Sequence, residues 1–78
     1  MSDQETAAAV RTIESQFMRM GDRILVEPAE GEDFEATVDH CLGWGIAHGV
    51  MNWKMRREDG ETFTYGIHVN APVQVVSA

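Results

Sequence analysis

Residues 39–49, DHCLGWGIAHG, gather the one cysteine, two of the three histidines, a carboxylate, a tryptophan and three glycines. Three chemistries use such residues. His40, Cys41 and His48 could ligate a metal, with Asp39 or His68 completing the set. Cys41 could act as a nucleophile beside a histidine, or Trp44 could serve as an aromatic anchor on a glycine-rich loop. The spacing argues against the first two. Adjacent strand residues point to opposite faces, so His40 and Cys41 do not converge on one ion, and H-C-x6-H is not a zinc-binding spacing. A reactive thiolate needs an electropositive neighbourhood, whereas Cys41 follows the most acidic stretch of the chain. No metal, cofactor or catalytic residue is expected, and the chain reads as a non-enzymatic protein.

Recognition fits the segment better. Gly43, Gly45 and Gly49 give the loop backbone freedom around Trp44 and His48. Trp44 then either anchors a partner or folds back as a lid over the open end of the core.

Charge supplies the second candidate. The 78 residues carry 13 acidic and 6 basic side chains, a net charge of −7, and such a field repels nucleic acid and selects basic partners. Six of the acids, with no basic residue among them, fall within residues 24–42. Glu27, Glu30, Glu32, Asp33, Glu35 and Asp39, with Trp44 and His48, are therefore the expected surface for a protein partner, on the premise that the 27–33 loop lies beside the Trp44 loop. Such a module would act by steric or electrostatic occlusion of a basic surface, as a phage-type inhibitor or nucleic-acid mimic does. Lys54, Arg56 and Arg57 form the single basic cluster and give an alternative, a nucleic-acid-binding strip. A purely structural or dimerising role is a third reading.

The elements that must position these residues are short. Ser2 and Glu5 form a capping box, Val10, Ile13, Phe17 and Met20 recur at helical spacing, and Gly21 suits a C-cap, so an amphipathic helix is predicted over residues 2–20. That helix offers an apolar stripe through which two copies could pair. From residue 22 the period changes to two. RILVE, FEATVDHCL and PVQVV read as strands, with Phe34, Ala36, Val38, His40 and Leu42 on one face of the second. Around Asp59-Gly60, a two-residue turn would oppose Glu58 to Glu61. A three-residue turn of Glu58, Asp59 and Gly60 instead pairs Arg57 with Glu61, Met55 with Phe63, Trp53 with Tyr65 and Met51 with Ile67.

The fold class expected is thus one domain over residues 1–78, mostly β. It would be a small five-stranded antiparallel SH3-like barrel, or a strongly curved sheet, with an N-terminal α-helix. The alternative is an α+β arrangement with the helix packed on one sheet face. No apolar run approaches the roughly 20 residues of a membrane-spanning helix. With a single cysteine and no signal-peptide pattern in MSDQET, a cytoplasmic setting is expected.

Overall fold

The computed structural model describes residues 9–77. They form six antiparallel strands: β1 (Ala9–Glu14), β2 (Arg23–Val26), β3 (Phe34–Trp44), β4 (Val50–Arg57), β5 (Thr62–His68) and β6 (Pro72–Ser77). A single 3-10 turn, Ser15–Phe17, follows β1. The strands lie in one sheet in the order β1-β6-β2-β3-β4-β5. The sheet is open, with β1 and β5 as its edges, so neither the five-stranded barrel nor the helix-on-sheet alternative describes it.

The predicted N-terminal helix is absent among the described residues, and a sixth strand takes its place. Residues 9–14 pair along their whole length with β6, from Ala9 opposite Ser77 to Glu14 opposite Pro72. The physical reason lies in the partner. PVQVVS is a β-branched strand bonded to β2 on one side for two pairs only, and its other side needs hydrogen bonds that a helix cannot supply. Val10, Thr12 and Ile13 suit a strand at least as well as a helix. The apparent stripe is dispersed as a result: Ile13 packs on the core, while Val10, Phe17 and Met20 are exposed. Gly21 ends no helix; it sits in the turn that leads into β2. The Ser2–Glu5 capping box lies outside the described residues.

The core is one face of this sheet. Ile24 and Val26 of β2, Ala36 and Val38 of β3, Trp53 and Met55 of β4, and Val73 and Val75 of β6 are buried together, joined by Met18 from the connection after β1. Each strand contributes residues two apart, as pleating requires. Ser15 is fully buried. Its Oγ donates to the His68 carbonyl at 2.6 Å, while its N–H donates to the Ala71 carbonyl at 2.9 Å. The 3-10 turn is thereby fastened to the β5–β6 turn.

The β4–β5 hairpin follows the register read from the sequence. Met51 lies opposite Ile67, Trp53 opposite Tyr65 and Met55 opposite Phe63, and the Arg57 N–H donates to the Glu61 carbonyl at 2.7 Å. Gly60 has φ +93°, the left-handed position that a three-residue turn demands of glycine.

Strand β3 departs from simple alternation. Its pairing with β4 shifts between Val38 and His40 and again between Cys41 and Gly43, so Asp39 and Leu42 are extra residues of two bulges. The first bulge moves His40 off the apolar face, opposite Lys54, and sets Cys41 opposite Trp53.

Candidate functional site

In a meander of antiparallel strands, alternate loops share an end. The β2–β3 loop (27–33) and the β4–β5 turn (58–61) therefore meet, because Val26 pairs with Phe34 and Ala36 with Arg57. The β3–β4 loop (45–49), which follows Trp44, lies at the other end of β3. Eleven residues of strand separate the two, about 33 Å at about 3.3 Å per residue. The premise that the acidic loop flanks Trp44 is corrected by this parity: the expected surface divides into two.

At the Phe34 end, carboxylates from both connections converge. Glu27, Glu30, Glu32, Asp33 and Glu35 come from one side and Glu58, Asp59 and Glu61 from the other. Asp33, Glu35, Glu58 and Asp59 line an open cleft of about 790 Å³ together with Arg23 and Arg57. Arg23 organises the cleft from β2. Its Nη2 lies 3.2 Å from Glu35 Oε1 and 3.3 Å from Glu58 Oε2, a bridge between residues distant in sequence. The Arg57 guanidinium lies 4.0 Å from the centre of the Phe34 ring, a cation–π contact. Phe34 in turn meets Phe63 edge to face at 5.7 Å. One arginine thus neutralises part of the acid charge while the other seals the apolar layer beneath it. Glu30, Glu32, Asp33, Asp59 and Glu61 are exposed and, among the described residues, form no ion pair.

The Trp44 end has the opposite character. Residues 40–53 contain no Asp, Glu, Lys or Arg. Trp44 lies opposite Met51 but is 68% exposed, and Ile46 at the loop tip is fully exposed. Trp44 is therefore not a lid on the core. Gly45 N–H donates to the Val50 carbonyl at 2.7 Å and closes the loop. A Cβ on Gly49 would lie 2.6 Å from His68 Nε2, at φ +78°, so this glycine lets β5 pass close to the loop.

His40, Cys41 and His48 are all exposed, so His40 does not stay on the apolar face where strict alternation places it. Asp39 Oδ1 lies 4.0 Å from His40 Nδ1 and 3.8 Å from Arg56 Nη2. Among the described residues no three His, Cys, Asp or Glu side chains lie together in a metal-binding arrangement. The basic cluster is also divided. Lys54 and Arg56 face outward beside Thr64 and Thr62, Arg56 is engaged by Asp39, and Arg57 is turned to the other face over Phe34.

A smaller cavity, of about 170 Å³, lies beside β5 between Tyr65, Glu27, Thr12 and Pro72. Burial there raises the Tyr65 phenol above its ordinary range, and the negative charge of Glu27 adds to the effect.

No protein-family model, curated protein or solved structure matches the chain. Among the described residues no helix is long and apolar enough to cross a membrane.

Sequence reasoning missed the share of Glu58, Asp59 and Arg23 in the acidic end. The signal was available. Once β3, β4 and β5 are read as consecutive antiparallel strands, the loops at 27–33 and 58–61 must share an end, and Arg23 opens the strand that pairs with β3 at Glu35.

Proposed function

We propose that the protein is a non-enzymatic binding module whose acidic end receives a basic surface of a partner protein and occludes it. The observation that carries this reading is the convergence of carboxylates from two separate connections around one cleft, with exposed members left unneutralised by Arg23 and Arg57. Opposite charge presented in this way steers encounter and disfavours acidic partners. A basic nucleic-acid channel is the kind of surface such a module suits, which makes an inhibitor that stands in for phosphate charge the most concrete form of the proposal. The divided basic cluster gives less support to direct binding of nucleic acid, since Arg56 and Arg57 are both engaged within the chain.

The test is capture from lysate of the native host by three immobilised forms: wild type, a Glu32→Lys/Asp33→Lys/Asp59→Lys variant, and Trp44→Ala. Circular dichroism first establishes that all three are folded. The expected result is a protein retained by wild type and Trp44→Ala, lost by the charge-reversed form, and displaced by heparin or by raised salt. Retention by the charge-reversed form, or indifference to heparin and salt, would overturn the proposal.

A further inference from the structure

The β5 edge of the sheet carries an inference that does not depend on the acidic end. Arg57 N–H donates to the Glu61 carbonyl and Val69 N–H to the Gly49 carbonyl, at 2.7 and 2.9 Å. Together with the pairs Met51–Ile67, Trp53–Tyr65 and Met55–Phe63, these bonds fix the phase of the ladder. Antiparallel strands bond through alternate residues, so the odd-numbered residues of β5 bond to β4. The N–H and C=O groups of Thr62, Thr64 and Gly66, and the N–H of His68, point the other way. Among the described residues no strand lies on that side, and Thr62, Thr64, Gly66 and His68 are all exposed.

Exposed edges are usually blunted by charge, proline or a bulge. The other edge, β1, carries Arg11 and Glu14. Strand β5 has none of these devices. Residues 62–68 contain no charged side chain and no proline, and their pairing with β4 has no register shift.

The sequence of β5 is also self-complementary. A two-fold axis through Tyr65 would pair Thr62 with His68, Phe63 with Ile67, Thr64 with Gly66 and Tyr65 with its own copy. The outward-facing backbone groups then fall in the bonded positions, and the half-buried Phe63, Tyr65 and Ile67 meet apolar partners across the seam. The arrangement suits the charge of the molecule as well. Antiparallel pairing sets the Glu58–Glu61 turn of each copy beside the uncharged His68 end of the other, so the two acidic turns stay about 20 Å apart along the strands. We infer that the protein forms an isologous dimer by antiparallel pairing of β5 with β5, which joins two six-stranded sheets into one.

Sedimentation across a concentration series tests this together with amide hydrogen exchange. The chain has a mass of 8.7 kDa, and wild type is expected to rise from that value toward twice it. As it does, the amides of Thr64, Gly66 and His68 become protected in step with the mass. Thr64→Pro removes one outward N–H and leaves the β4 ladder intact, so it should remain a monomer with an unchanged circular dichroism spectrum, while Thr64→Val should still dimerise. A wild type that stays monomeric throughout the series overturns the inference. So does a dimer whose Thr64 and Gly66 amides exchange freely, since the contact would then lie elsewhere. The exchange experiment uses wild type alone, and so decides the matter even where Thr64→Pro does not fold.

Discussion

The two ends of β3 are built from the same strands yet differ in nearly every physical property. At the Phe34 end, charge is concentrated and partly organised: Arg23 bridges Glu35 and Glu58, and Arg57 covers Phe34. At the Trp44 end residues 40–53 carry no Asp, Glu, Lys or Arg, and large apolar side chains stand in solvent. The difference teaches that burial and exposure in this protein follow distance along the strands more than residue type. The two tryptophans make the point. Trp53 lies at the middle of β4 and is 6% exposed, whereas Trp44 ends β3 beyond the core and is 68% exposed.

Replacing each tryptophan by alanine is therefore the sharpest way to break the comparison. Trp53→Ala should cost about 3–5 kcal/mol in denaturant unfolding. A chain of this length is stable by only about 4–12 kcal/mol, so that variant is expected to lose about a quarter or more of its total stability. Trp44→Ala should stay within about 0.5 kcal/mol of wild type. Equal costs would mean that Trp44 is part of the core after all. Trp53→Phe adds a refinement. The indole Nε1 is buried and, among the described residues, has no hydrogen-bond partner, and an unsatisfied buried donor costs about 1–3 kcal/mol. Removing it offsets part of the lost packing, so Trp53→Phe should be much milder than Trp53→Ala.

Two smaller changes sharpen the contrast between the ends. Gly49→Ala forces a left-handed backbone on alanine and pushes against the His68 ring, whose Nδ1 accepts from the Asn70 N–H at 3.1 Å. The backbone strain alone is about 1–2 kcal/mol, and it should appear in unfolding as a lower midpoint with an unchanged slope. At the opposite end, Arg57→Ala removes the cation–π contact with Phe34, which at such an exposed site is expected to cost about 0.5–1 kcal/mol.

How much of this was legible in the sequence depends on which interactions decide each element. The β4–β5 hairpin was readable because its determinants are local: a turn needing Gly60, and apolar residues that share one face in a single register. Residues 9–14 were not, because their strand state is imposed by β6, about sixty residues away in the chain. Val10, Ile13, Phe17 and Met20 satisfy a helical period, and no local signal outweighs it. The bulges of β3 were equally hidden, since alternation through Phe34, Ala36 and Val38 gives no warning that Asp39 interrupts it. The charge-rich stretch was visible, but its neighbours were assigned to the wrong end. Counting loops along the meander would have separated Trp44 from Glu30, Glu32 and Asp33 without any knowledge of side-chain packing.

The finest test of how far the acidic end reaches uses the one tyrosine in the chain. Tyr65 lies on β5 beside the cavity that it shares with Glu27, and its phenol is held above the ordinary value of 10.0 by burial first and by the Glu27 charge second. Both causes disfavour the phenolate in the folded state only. The contribution to stability is therefore fully present below the ordinary value and is lost as pH rises through the raised folded one. Glu27→Gln removes the second cause and leaves the first, so the phenolate absorbance of the folded protein should titrate at a lower pH than in wild type, yet still above that of the unfolded chain. The alkaline loss of stability should narrow in step. An unchanged titration would mean that the Glu27 charge is screened from β5, confining the acidic field to the cleft lined by Asp33, Glu35, Glu58 and Asp59. A full return to the ordinary value would mean instead that charge, and not burial, governs Tyr65, and that the acidic end extends along the free edge of the sheet.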